Sequence, residues 1–172
     1  MLTKTFKQLF FAASIIALVV FSFTSCLKAK DTGCKFKECS VVAPASEIQS
    51  VQNYIASHNI IGAVQHCSGL YYKIDSTAGV GTGTKPDGCS TVNVKYKGYL
   101  TNGTVFDQNA AGITLSLQEV IRGWTIGVPL LKAGGKITLY IPPTLGYGST
   151  AQGTTIPANS VLIFEITLVS VN

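Results

Sequence analysis

Little in this sequence is charged. Lys, Arg, Asp and Glu make up 12% of its 172 residues, and there are two histidines and one tryptophan. The 13 basic and 8 acidic residues give +5, and setting aside the first 25 residues, with Lys4, Lys7 and no acid, lowers this to +3. That is too sparse for the basic stripe of a nucleic-acid binder, so no nucleic-acid partner is expected. An apolar share of 47% is too high for a disordered chain. No second apolar run near twenty residues follows the first, which excludes a polytopic membrane protein.

Familiar catalytic patterns are missing too. There is no Gly-x-Ser-x-Gly elbow, and His58 and His66 both precede the strand-rich region, which argues against a Ser-His-Asp site. Gly79-Val80-Gly81-Thr82-Gly83-Thr84-Lys85 lacks the Gly-Lys-Ser/Thr ending of a phosphate loop, and Pro86 bars the helix that would follow, so it reads as a turn-rich loop. Asp87, Asp107, Glu119 and Glu165 show no spacing that pairs two carboxylates. Cys34 and Cys39, even with His66 or His58, have no second Cys-x-x-Cys or His pair beside them, so no metal site is expected.

What is present begins with an address. Lys4 and Lys7 precede an uncharged, mostly apolar run, Leu9 to Phe23. As a helix these 15 residues rise about 22 Å, short of a roughly 30 Å hydrocarbon core, so residues 1–25 read as a secretory signal. Phe23-Thr24-Ser25-Cys26 resembles a bacterial lipobox, which implies acylation of Cys26 and an exported protein anchored in the bacterial cell envelope. Acyl chains anchor because each buried CH₂ contributes about 0.8 kcal/mol. Four cysteines then remain, Cys34, Cys39, Cys67 and Cys89, an even number in an exported chain. Three pairings are open, and the expected one is Cys34–Cys39 with Cys67–Cys89.

Residues 26–68 read as a tether and an N-terminal helix. Ser46 and Gln49 suggest a capping box, and Ile48, Val51, Tyr54 and Ile55 share one face, ending near His58-Asn59. That face is expected to pack or space, with homodimerisation as the other use. From residue 69 the period changes to two: Leu70/Tyr72/Ile74, Val92/Val94/Tyr96, Ile113/Leu115/Leu117, Ile137/Leu139/Ile141 and Leu162/Phe164/Ile166/Leu168 alternate as strands. Asn102-Gly103 predicts a two-residue hairpin turn with φ > 0 at both positions. Arg122 to Leu131, broken by Pro129, is the one helix in this region. The fold class is α+β, with one antiparallel sheet of five or six strands wrapped around one short helix and an N-terminal helical extension.

Six segments carry a resemblance. They are Val94-Lys95-Tyr96-Lys97-Gly98-Tyr99-Leu100, Gly103-Thr104-Val105-Phe106-Asp107, Glu119-Val120-Ile121-Arg122-Gly123-Trp124, Gly134-Gly135-Lys136, Ile141 to Gly148, and Ile156 to Glu165. In this order they resemble the FKBP-type peptidyl-prolyl cis-trans isomerases over residues 69–172. The resemblance implies a pocket between helix and sheet, with Trp124 as floor. Tyr96, Phe106, Val120, Ile121, Ile156 and Phe164 are implied as its walls. Tyr147 and the Ile121 N–H are implied as donors to a bound peptide, with Asp107 at the rim. Asp107, Tyr147 and Trp124 are the implied catalytic set. Where the family usually has another aromatic, two residues before Leu115, this chain has Ile113, which bears on macrolide binding.

The implied reaction explains those residue types. Rotation about an Xaa–Pro bond faces a barrier of about 20 kcal/mol, set by amide resonance. Moving the imide from water into an aromatic cup removes the solvent bonds that favour the planar dipolar form. A hundredfold to hundred-thousandfold acceleration asks for about 3–7 kcal/mol, which a pocket complementary to the twisted amide can supply. No cofactor is expected. The expected partners are proline-containing unfolded or partly folded polypeptides; a non-catalytic chaperone or peptide-binding module is the alternative. Mass spectrometry of the exported protein is expected to find an acylated Cys26 as first residue, whereas an unmodified N-terminus would mean a plain cleaved signal.

Overall fold

The alternation of Val92 with Val94, and of Ile137 with Leu139 and Ile141, puts these side chains on one face of a sheet, where all are at most 2% exposed. In the computed structural model, which describes residues 33–172, α1 (Ala45–Ser57) is followed by β1 (Val64–Gln65), β2 (Tyr71–Ile74), β3 (Thr91–Leu100) and β4 (Val105–Ser116). Next come α2 (Arg122–Gly127), a 3₁₀ turn (Val128–Leu130), β5 (Lys136–Ile141), a second 3₁₀ turn (Pro143–Leu145) and β6 (Leu162–Val171). The residue 1–25 leader and Cys26 lie outside the described residues. The strands form one six-stranded antiparallel sheet in the order β1-β2-β5-β6-β3-β4.

Helix α2 lies against the inner face. Its Trp124 and Ile126, with Val128 just after it, join Val94, Leu139, Phe164 and Leu168 in the main core. The Thr125 hydroxyl donates to the Leu117 carbonyl at 2.8 Å, tying the helix to the segment leading out of β4. Pro129 ends the helix as expected, in the first 3₁₀ turn.

The outer face is apolar where alternation alone would give it to water. Tyr71, Tyr140 and Ile163 are buried there because α1 lies across them, packing Ile48, Val51, Tyr54 and Ile55 into a second cluster. Val51 is fully buried. This face packs within the chain, as expected, and so is covered against its other reading, homodimerisation. The expected Ser46–Gln49 capping box does not form. The helix starts at Ala45, and the Pro44 carbonyl takes the N–H groups of Glu47 and Ile48 at 3.0 and 3.1 Å. This leaves the Glu47 carboxylate to accept from the Thr144 N–H and hydroxyl, both at 2.8 Å. Helix α1 thereby grips the turn that leads to Tyr147.

Two further expectations are corrected. The disulfides are Cys34–Cys89 and Cys39–Cys67, with Cα atoms 5.7 and 5.9 Å apart. Phe36 packs against Gly88, which brings Cys34 to Cys89. The Ala43 N–H donates to the Ser68 carbonyl at 2.9 Å, which lays the chain after Cys39 beside Cys67. The short Cys34–Cys39 closure was expected, but packing of residues 36–43 on the domain decides the pairing. The segment expected as tether is, over residues 33–43, strapped to the fold. Separations of 55 and 28 residues correspond to about 4 kcal/mol of loop entropy for either bond taken alone. The β3–β4 hairpin is also wider than predicted. The Leu100 N–H donates to the Thr104 carbonyl and the Gly103 N–H to the Leu100 carbonyl, both at 2.9 Å, and Gly103 alone takes φ > 0, at +84°.

Leu139 is fully buried beneath α2. Leu139→Ala is expected to destabilise by about 2–5 kcal/mol, read as a lower urea midpoint at unchanged slope; a loss under about 1 kcal/mol would contradict this core.

Candidate functional site

Three elements supply the rings. Tyr96 comes from β3, Phe164 from β6 and Trp124 from α2. The indole stands edge-to-face to both neighbours: 5.1 Å and 82° from Tyr96, 5.1 Å and 89° from Phe164. Phe106 of β4 meets Phe164 at 5.3 Å and 82°. Perpendicular contacts suit the ring quadrupoles and hold the rings apart as walls and floor. They need Gly98, because a Cβ there would come within 2.7 Å of the Phe106 and Phe164 rings.

Above the rings is a cavity of about 240 Å³. Of the residues expected at the site, it brings together Tyr96, Asp107, Val120, Ile121, Trp124, Tyr147 and Phe164. Phe106 does not line it and instead backs Phe164. Ile156 does not line it either; 7% exposed, it packs in the core and exchanges backbone bonds with Gln152, pinning the loop between them. Ile113, Leu115 and Glu119 complete the lining and were not among the expected site residues. For Leu115 the signal was the β4 alternation, which showed a face without showing what it faced, and for Ile113 also the aromatic position that the resemblance marks. A wider hollow of about 560 Å³ on the sheet is bordered by Lys95, Lys97, Lys136, Asp75 and Glu165, charged groups in place of the aromatic walls.

Polar groups sit at the rim. The Tyr96 hydroxyl donates to Asp107 Oδ2 at 2.7 Å. Burial, then the bond to Asp107 and its charge, push the Tyr96 hydroxyl up to about 12. Burial, then the charge of Asp107, raises Tyr147 as well. Both phenols therefore stay protonated donors near neutral pH. Ile121, just before α2, and Tyr147, 38% exposed, each bring a donor with no acceptor among the described residues. The indole N–H of Trp124 is likewise buried without an acceptor. The arrangement offers an apolar floor, unpaired donors above it and one carboxylate at the edge. Among the described residues, the sulfur clusters Cys39–His66–Cys67 and Cys34–Asp87–Cys89 already hold the two disulfides.

Comparison with known proteins points to one family. The family profile described as FKBP-type peptidyl-prolyl cis-trans isomerase matches residues 82–169. A probable FKBP-type peptidyl-prolyl cis-trans isomerase of Haemophilus influenzae is 45% identical over 108 residues, 61% of this chain and 44% of the relative. Outer membrane protein MIP of Legionella longbeachae is 43% identical over 113 residues, 64% of this chain and 47% of the relative. The chain thus spans less than half the length of these curated relatives. A crystal structure of a peptidyl-prolyl cis-trans isomerase from Pseudomonas syringae superposes with a TM-score of 0.65 at 31% identity, covering 76% of this chain and 97% of that one.

The raised pKa of Tyr96 has a definite sign. Its stabilising effect is complete below about pH 10, the unfolded value, and is lost as pH rises through about 12. In tyrosine ring-carbon NMR titrations, Asp107→Asn is expected to lower the Tyr96 midpoint while leaving it above the ordinary value, since burial is the larger cause. Tyr140, pushed up to about 12 by burial, then Tyr54 and Glu165, should not move. An unmoved Tyr96 would rule out the Asp107 bond.

Proposed function

The chain belongs to the FKBP-type peptidyl-prolyl cis-trans isomerases, and from that premise we propose that it accelerates Xaa–Pro rotation in exported polypeptides. The observation that carries the reading is the cavity of about 240 Å³ floored by Trp124, with unpaired donors from Ile121 and Tyr147 at its edge. A proline ring enters over the indole, and its imide leaves water. Tyr96, Phe164 and Val120 enclose it. The Ile121 N–H and the Tyr147 hydroxyl take the flanking peptide carbonyls, so that the chain on one side is held while the other turns. Interactions made better with the twisted imide than with the planar one lower the barrier. Asp107 holds Tyr96 and adds negative potential at the rim, without acting as a base. Phe106 acts through Phe164, and Ile156 acts through the loop it anchors.

The same proposal places the protein in the bacterial cell envelope, exported by the residue 1–25 signal and anchored through lipid on Cys26. The lipobox resemblance supports this, as do two disulfides, which persist in oxidising compartments. A relative named as an outer membrane protein adds to it.

Proline-limited refolding tests the activity. Catalysis by the wild-type chain is expected to fall at least about tenfold in Trp124→Ala and about 2–10-fold in Tyr147→Phe, the loss of one hydrogen bond. Melting curves establish that both variants fold. Suppressed aggregation with no acceleration would replace the isomerase by a holding chaperone.

A further inference from the structure

Arg122 is the only arginine in the chain, and the prolyl cavity does not use it. It opens instead on a second hollow of about 310 Å³ that shares Val120 with that cavity. Lys35 and Phe36 of the N-terminal strap form one side, Gln118, Arg122 and Thr125 the other. None of the described residues that line it is acidic. The guanidinium lies over the Phe36 ring, 5.2 Å from its centroid. One terminal nitrogen donates to the Lys37 carbonyl at 3.2 Å and to the Ser40 hydroxyl. The Nε–H is buried, with no acceptor among the described residues. Of the carboxylates nearby, Glu38 sits 3.5 Å from His66, Asp87 accepts from the Cys89 N–H and the Ser90 hydroxyl at 2.9 Å, and Glu119 lines the prolyl cavity.

A guanidinium packed on Phe36 and bonded through one terminal nitrogen keeps its other terminal nitrogen, unbonded among the described residues, for a carboxylate. Lys35 adds a second positive charge with no geometric demand. Val120 borders both hollows, so a polypeptide leaving the prolyl cavity past it would reach this one within a few residues of its proline. We propose that the hollow is an extended substrate subsite that takes a carboxylate, from an Asp or Glu side chain or from a chain end, close to the Xaa–Pro bond. The proposal rests on the isomerase reading above and names a substrate class for it. The strap, held by both disulfides, is then part of the binding surface.

The test uses the mature chain and a set of proline peptides. Each carries Glu or Gln two or three residues before or after the proline, with either a free or an amidated C-terminus. Binding is read by fluorescence anisotropy and turnover by isomerisation kinetics. At one position Glu is expected to exceed Gln by about 3–10-fold in affinity and in kcat/KM. Rising salt should shrink the preference, and Arg122→Gln and Lys35→Glu should each remove most of it. Lys35 is exposed, so its variant keeps the test valid if loss of Arg122 disturbs folding. A preference confined to free C-termini assigns the site to chain ends and supports the proposal. Equal binding of Glu and Gln peptides at every position, or a preference that survives both substitutions, overturns it. Turnover of the Gln peptides reports the isomerase separately, and if it is absent the anisotropy comparison still decides the subsite.

Discussion

The indole of α2 meets one ring from β3 and one from β6 edge-on, and the site depends on those two contacts. Trp124 stands nearly perpendicular to both Tyr96 and Phe164. Had these rings stacked in parallel, the space above the indole would close into ordinary core. The perpendicular arrangement is enforced from outside the cavity. Phe106 braces Phe164, Gly98 leaves the gap into which both phenyl rings project, and Thr125 pins the helix that carries the indole. The fold positions the site mostly by deciding how close α2 and the sheet come, and the rim donors follow from where the two chain segments bordering that gap begin and end.

Much of the inner face was legible in the sequence. Period-two alternation marks strands whose one side meets a helix, and the combination Val-Ile-Arg-Gly-Trp with Gly-Tyr-Gly marks the cavity floor and lip. The outer face was not legible in the same way. Tyr71, Tyr140 and Ile163 break or extend the alternation, and a single-sequence pattern does not say whether the covering comes from another chain or from the thirteen-residue helix α1 upstream. The capping reading failed for a related reason. Ser46 and Gln49 fit a local motif, but Glu47 has a tertiary partner in Thr144, and the helix begins where that contact requires. Ile156 and Phe106 were expected at the cavity because they lie in the right segments; they fall one layer behind it, where only three-dimensional packing distinguishes wall from support.

The cysteines show the same limit with greater consequence. Loop length ranks candidate pairings in an unfolded chain, and on that ranking the nearest neighbours join. In the folded chain the segment 33–43 is already committed by Phe36, by the bonds from Arg122 and by the backbone bond from Ala43. Those contacts carry Cys34 and Cys39 to opposite partners, so the two bonds interlock the strap with the domain and leave no small separate ring.

The Cys34–Cys89 bond also sets the path that mechanical load takes. Tension applied on the N-terminal side of Cys34 passes through sulfur to Cys89 and then, two residues on, into β3, which is hydrogen-bonded on both sides by β6 and β4. The stretch between the two sulfurs, with α1 and the strap, lies outside that path. A protein tugged at one end and held at the other would transmit the pull straight into β3, the strand that carries Tyr96, while α1 and the strap would stay slack.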